Sequence, residues 1–202
     1  DDDEEATVRT LDGYRDTMRH LIQQHRGRVV DTTGDNLLAE FSSVVDALNC
    51  SVKIQQELAE RNTDLSSERK MEFRIGVNVG DVIEEEDRIY GDGVNIAARV
   101  EALAEAGGIC ITGRAYDQVK NKLEFGYQYL GKHSVKNIPE PVRVYKVLTE
   151  PEAAGKVLGE KRKTKRWIAL ATAIVLIVGV GGIAGWYLYL KHSKRIDPAS
   201  LD

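Results

Sequence analysis

Three stretches of this chain carry side chains able to act on a phosphorylated substrate. In the first, Gly34-Asp35-Asn36 stands between two apolar runs. A carboxylate at the tip of a hairpin is pinned by its strands yet open to solvent, which suits Mg²⁺ held jointly with substrate phosphates. Ordinary turn chemistry accounts for the same residues. In the second, Asn95 and Arg99 are four apart in GDGVNIAAR, on one face of one helix. An amide beside a guanidinium can orient a hydroxyl and neutralise phosphoryl charge, and a solvated helix stripe shows the same pattern. Gly91 and Gly93 just before it bring backbone N–H groups forward, as at an anion site. In the third, Lys136 precedes Pro139 and Pro141 and reads as a phosphate contact or a surface lysine. Arg74 sets a charge into the apolar run FRIGVNVG, at an outward position. His20, His25, His133 and His192 lack metal-ligand spacing. Cys50 and Cys110 form no zinc pattern and read as buried apolar residues of a cytosolic domain.

The elements that must position these groups follow from periodicity. Residues 4–26 have helical spacing through Val8, Leu11, Met18, Leu21 and Ile22, with Gly27 as the stop. Strands at 28–32 and 37–41 form a hairpin around the Asp35 turn. Ser43 opens a capping box for a helix running to Arg61. FRIGVNVG and DVIEE predict a second hairpin. A helix at 91–103, a strand at 109–112, a helix at 114–122 and strands near 126–135 and 142–148 complete the order. Hairpins interleaved with helices predict an α+β sandwich of the ferredoxin-like kind, an antiparallel sheet with helices on one face.

Charge divides the chain. The whole has 28 basic and 32 acidic residues, net −4, in 202 residues. Residues 1–150 hold 19 basic and 28 acidic residues, and the remainder 9 and 4, so the halves carry −9 and +5. The acidic part lacks the basic face of a nucleic-acid binder. At 42% hydrophobic and 30% charged, the composition is that of a globular protein. Trp167 to Leu190 is an uncharged run of 24 residues with aromatic rings near its ends. That length predicts a membrane span. Five basic residues precede it in KRKTKR, and Lys191, Lys194 and Arg195 follow. The bias places the N-terminal side in the cytoplasm, so the expected location is the inner membrane, crossed once. Gly181 and Gly185 form a GxxxG pair that permits close helix approach. The expected division is a soluble domain at 1–148, a basic juxtamembrane linker at 149–166, a transmembrane helix at 167–190 and an extracytoplasmic start at 191–202. DDDEE at the start, without Met, reads as a cut end.

RVVDTTGDNLLAEF, EFRIGVNVGDVI, RIYGDGVNIAARVEALA, GGICITG and VKNIPEPVRVYKV resemble, in that order, the class III nucleotidyl cyclase catalytic domain. The bacterial adenylate cyclase branch, with a membrane span after this domain, is most similar. The resemblance implies a homodimer with sites at its interface and two Mg²⁺ or Mn²⁺ ions per site. In such a site the ribose 3′-OH attacks the α-phosphate and pyrophosphate leaves. Asp35 matches the second metal aspartate, Asn95 the ribose-orienting asparagine, and Arg99 the arginine at the α-phosphate. Lys136 matches a lysine at the terminal phosphates, and Arg74 another pyrophosphate contact.

The departures are equally informative. The strand carrying the first metal aspartate is expected upstream of residue 1, so residues 1–202 alone are expected to be nearly inactive. Asp31 stands where a lysine typically reads adenine, and Arg88 where its aspartate partner stands. Asn36 replaces a common glycine. The most similar branch implies ATP ahead of GTP, although Asp31 could accept from the guanine N1–H and N2 amino donors while Arg88 donates to O6. A catalytically degenerate module serving regulation or dimerisation is the alternative reading.

Overall fold

The structure is a computed structural model describing residues 2–159 apart from 33, 67, 68, 86, 87 and 137. The apolar run 167–190 and the basic run before it lie outside the described residues. No helix among the described residues is long and apolar enough to cross a membrane.

Helix α1 (Asp2–Gln24) buries Tyr14, Met18, Leu21 and Ile22 along one stripe, as their three-and-four spacing requires. It ends differently from the sequence expectation. Arg26 takes the left-handed turn, at φ 62°. Gly27 serves packing instead: a Cβ there would collide with the Phe41 ring across the hairpin. Strands β1 (Gly27–Asp31) and β2 (Leu38–Phe41) pair antiparallel, with an irregularity between Val29 and Asp31. Helix α2 (Val44–Asn62) starts at Ser43, whose hydroxyl accepts from the Asp46 N–H. It buries Leu48, Cys50, Val52, Ile54 and Leu58.

The expected second hairpin does not form. Strand β3 (Ile75–Val77) pairs with β6 (Ile109–Thr112) in parallel, while β4 (Ile83–Glu85) pairs with β5 (Arg88–Tyr90). Residues 78–82 separate two short strands that belong to different sheets. Alternation reveals a strand but not its partner. Helix α3 (Asp92–Glu101) follows, and α4 (Gly113–Val119) leaves β6 with the Thr112 hydroxyl accepting from Ala115 N–H. Strands β7 (Gly126–His133) and β8 (Val142–Leu148) form a long antiparallel pair.

The main sheet has the order β3-β6-β8-β7-β9 and is mixed rather than purely antiparallel. Strand β9 (Val157–Leu158) runs parallel to β7, after a 3₁₀ turn at Pro151–Ala153. Val157 and Leu158, within the stretch expected as linker, thus extend the sheet. The Gly155 N–H donates to Phe125 C=O and the Tyr127 N–H to Lys156 C=O.

Helices cover both faces of the sheet, against the expectation of one. Ile109 and Ile111 of β6 pack with Leu48 of α2 and Val119 of α4. Cys110, between them, packs with Val100 of α3 and Val144 of β8. Alternate side chains point to opposite faces, and all four residues of β6 are buried, so both faces must be roofed.

Candidate active site

Asp35 is exposed in the β1–β2 turn, beside Gly34 at φ 62°. Its carboxylate makes no hydrogen bond or ion pair with another described residue and is available to a ligand. Asp31 lies at the end of β1, beside the irregularity, where its carboxylate accepts the Thr32 N–H at 2.8 Å. Strand β1 lies against β5, the strand that opens with Arg88. The structure therefore brings the backbones of the two base-pocket candidates to neighbouring strands.

A charge cluster ties these strands together. The Arg28 guanidinium on β1 donates to Glu40 of β2 at 2.8 Å and to Glu84 of β4 at 2.6 Å. Those hydrogen bonds, Glu84 first and then Glu40, hold the Arg28 pKa above its ordinary value. Sequence reasoning passed over Arg28 and Glu84. Arg28 and Glu40 face each other in the β1–β2 register, but only the fold brings Glu84 to them.

Asn95 and Arg99 lie on the exposed side of α3, one turn apart. The adjoining stripe, through Ile96 and Val100, packs on the sheet. The helix is drawn in close by glycines. At Gly76 of β3 a Cβ would run into the Ala97 carbonyl and the Glu101 N–H. At Gly93 a Cβ would stand 2.9 Å from the Asp81 carbonyl oxygen. Gly91, at φ 122°, supplies the sharp entry to the helix. Gly76 and Gly93 therefore serve close packing, and Gly91 serves the turn into the helix.

Arg74 is partnered: its guanidinium lies 3.2 Å from Glu101 at the end of α3. Lys136 is exposed on the β7–β8 connection, after the buried Val135, where Ile138 N–H closes a turn onto Val135 C=O. Leu130 and Val142, flanking that connection, pack in the cluster beneath α3. Asn78, not singled out from sequence, donates from Nδ2 to the Gly93 carbonyl at 2.9 Å. Its signal was a polar residue between Val77 and Val79.

Among the described residues, no group of three or more His, Cys, Asp or Glu gathers to hold a metal ion. Asp35 offers one carboxylate. That fits Mg²⁺, which commonly binds through one or two carboxylates completed by substrate phosphates and water. It does not make a site from protein groups alone.

The family model for the adenylate and guanylate cyclase catalytic domain matches residues 2–149. The chain belongs to this family. The match includes the Asp35 turn, α3 and the Lys136 connection. A relative from Rhizobium meliloti (strain 1021), named "Putative adenylate cyclase 3", is 40% identical over 132 residues. That stretch is 65% of this chain and 22% of the relative, so the chain spans under a quarter of the relative's length. The crystal structure of an adenylate/guanylate cyclase/hydrolase from Silicibacter pomeroyi is similar with a TM-score of 0.64 and 37% identity. The similarity covers 67% of this chain and 80% of that one. The adenylyl cyclase CyaB from P. aeruginosa, at 23% identity and TM-score 0.59, shares the fold over 74% of this chain and 85% of its own. The α+β expectation and the cyclase resemblance both hold.

Proposed function

We propose that this cyclase domain converts a nucleoside triphosphate, ATP ahead of GTP, into a 3′,5′-cyclic nucleotide and pyrophosphate. The observation that carries the proposal is α3: Asn95 and Arg99 stand together on its exposed side, with no side-chain partner among the described residues. Family membership supplies the reaction class. In the reaction the ribose 3′-oxygen bonds to the α-phosphorus, the α–β bridging oxygen departs with pyrophosphate, and the 3′-OH proton passes to solvent. Asn95 holds the ribose so that attack is in line. Arg99 donates to the α-phosphoryl oxygens as charge builds on them. Lys136 and Arg74 hold the terminal phosphates, Arg74 after exchanging Glu101 for substrate. Asp31 and Arg88 meet the base edge.

Two divalent ions per site would neutralise phosphate charge, one of them held by Asp35. The first metal carboxylate is proposed to come from a strand upstream of α1. Among the described residues β3 ends the main sheet, and the proposed strand would pair with it there.

The exposed Val82, Ile83 and Tyr90 on and beside β4–β5 support assembly as a homodimer. Ile83 and Tyr90 are register partners, so they form one apolar patch. Arg99 of one copy would serve a site completed by the other. The run 167–190 is proposed to anchor the dimer in the inner membrane, with the cyclase domain in the cytoplasm.

The test is turnover of ATP and GTP with Mg²⁺ or Mn²⁺, by residues 1–202 and by a protein extended upstream. The extended protein should form cyclic nucleotide, and residues 1–202 should be nearly inactive. Arg99→Ala in the extended protein should lower kcat by about 100-fold, the usual effect of losing one preorganised donor, with KM changed less. No turnover by the extended protein would refute the proposal and leave the regulatory module.

A further inference from the structure

The geometry points to Asn78 as a positioning residue for α3, and through α3 for Asn95 and Arg99. This inference rests on the cyclase reading of that helix. Helix α3 has only ten residues, and Gly91 at its N-cap provides no side-chain hydrogen bond. A helix this short is marginal in water, so its placement depends on what holds it from outside. Among the described residues, two side-chain interactions tether it to the chain around β3. Arg74 pairs with Glu101 at its C-terminal end, and Asn78 donates to the Gly93 carbonyl in its first turn.

These two tethers are unequal. Arg74 is about half exposed, and ion pairs of that kind contribute little. Asn78 is half-buried, just past the end of β3, a strand that packs directly against α3. Its bond is backed by close backbone approach. A Cβ at Gly80 would meet the Asn78 Nδ2 at 3.2 Å and the Gly93 Cα at 3.3 Å. Segment 78–81 and the first turn of α3 thus lock together, with Asn78 as the polar link. Gly93 is two residues before Asn95 and six before Arg99, so a shift of the first turn is carried directly to both. Misplacing a reacting or orienting group by about 1 Å can cost up to about 100-fold in rate.

Three variants of the upstream-extended protein test this. Asn78→Asp keeps the shape but presents an acceptor to the Gly93 carbonyl. Asn78→His restores a donor, because its Nδ1 stands as many bonds from the backbone as the asparagine Nδ2. Asn78→Ala removes the group with least risk to folding. The readouts are hydrogen exchange over residues 92–101, with 113–119 of α4 as internal reference, and kcat and KM for ATP with Mg²⁺. Asn78→Asp and Asn78→Ala should each speed exchange in α3 by about 10-fold and leave α4 unchanged. Their kcat should fall about 10-fold with KM within about 3-fold of wild type. Asn78→His should recover most of both losses. Unchanged exchange in α3 overturns the inference, whatever the activity. So does unchanged kcat in variants of an active wild type, or exchange that quickens equally in α3 and α4. If the wild type makes no cyclic nucleotide, the cyclase reading fails on its own. A quickening of exchange confined to α3 would then still uphold the tether, and its absence would refute it.

Discussion

Replacing Asn62 by alanine should destabilise the domain more than any single substitution on its exposed face. Asn62 ends α2 and is 9% exposed. Its Oδ1 accepts the Tyr14 hydroxyl at 2.7 Å and the Met71 N–H at 3.2 Å, and its Nδ2 donates to the Met71 carbonyl at 2.8 Å. The side chain thus pairs with the backbone of residue 71 as a neighbouring strand would, and anchors α1 at the same point. Three hydrogen bonds at a net value near 1 kcal/mol each give a loss of about 3 kcal/mol. Tyr14, 4% exposed, would be left with a buried hydroxyl lacking this partner. For a domain of this size the melting midpoint should fall by roughly 6–12 °C. Urea denaturation of the whole chain in mild detergent, followed by far-UV circular dichroism, measures the loss. Tyr14→Phe alone should cost about 1 kcal/mol. Made together with Asn62→Ala it should add almost nothing, because the orphaned hydroxyl is gone, a coupling of about 1 kcal/mol. Strict additivity of the pair, or a loss below 1 kcal/mol for Asn62→Ala, would refute the reasoning. The functional consequence lies downstream. Phe73, two residues past Met71, accepts from Gly107 N–H and from Gln55 Nε2 as the chain enters β3. Strand β3 in turn seats α3.

The base pocket and the alkaline limit give two further outcomes. If Asp31 and Arg88 read the base, Asp31→Lys with Arg88→Asp should change the ATP:GTP ratio of kcat/KM by about 10-fold or more, since donors and acceptors exchange places; an unmoved ratio would show that neither residue reads it. Burial pushes the Cys50 and Cys110 thiols from 9.0 up to about 11, and burial with a smaller contribution from Tyr116 pushes the Tyr127 phenol from 10.0 up to about 12. Folded pKa values above the unfolded ones mean that the unfolded chain loses these protons first. Stability should therefore be flat up to about pH 9 and decline as pH climbs through 11, and a urea midpoint constant from pH 8 to 11 would contradict this.

Local pattern was legible in the sequence wherever the physics is local. The stripe of Met18, Leu21 and Ile22 marks α1, although Val8 at the same spacing is exposed and the buried Tyr14 was not read as part of it; Ser43 marks the start of α2, and the Asp35 turn between apolar runs marks the first hairpin. Asn95 and Arg99 share a face of α3 because four residues make about one turn. The family, too, could be read from motifs in order, since each needs only its own residues. Partnership was not legible. That β3 pairs with β6 rather than β4, and that residues 157–158 join β7, depends on backbone hydrogen bonds that any sequence can make. The roof on the second sheet face was hidden in ICIT, where Cys110 between Ile109 and Ile111 reads as one apolar run although its neighbours point the other way. The glycines before α3 suggest an anion cradle in the sequence because glycine frees backbone N–H groups, and only the fold adds a packing role, with a Cβ at Gly93 standing 2.9 Å from the Asp81 carbonyl oxygen. Arg28 with Glu84, and Asn78 with Gly93, are contacts between groups 56 and 15 residues apart. Residue type and spacing along the chain determine which chemistry the site can offer, whereas the long-range packing of β3 and β5 against α3 decides where that chemistry is held.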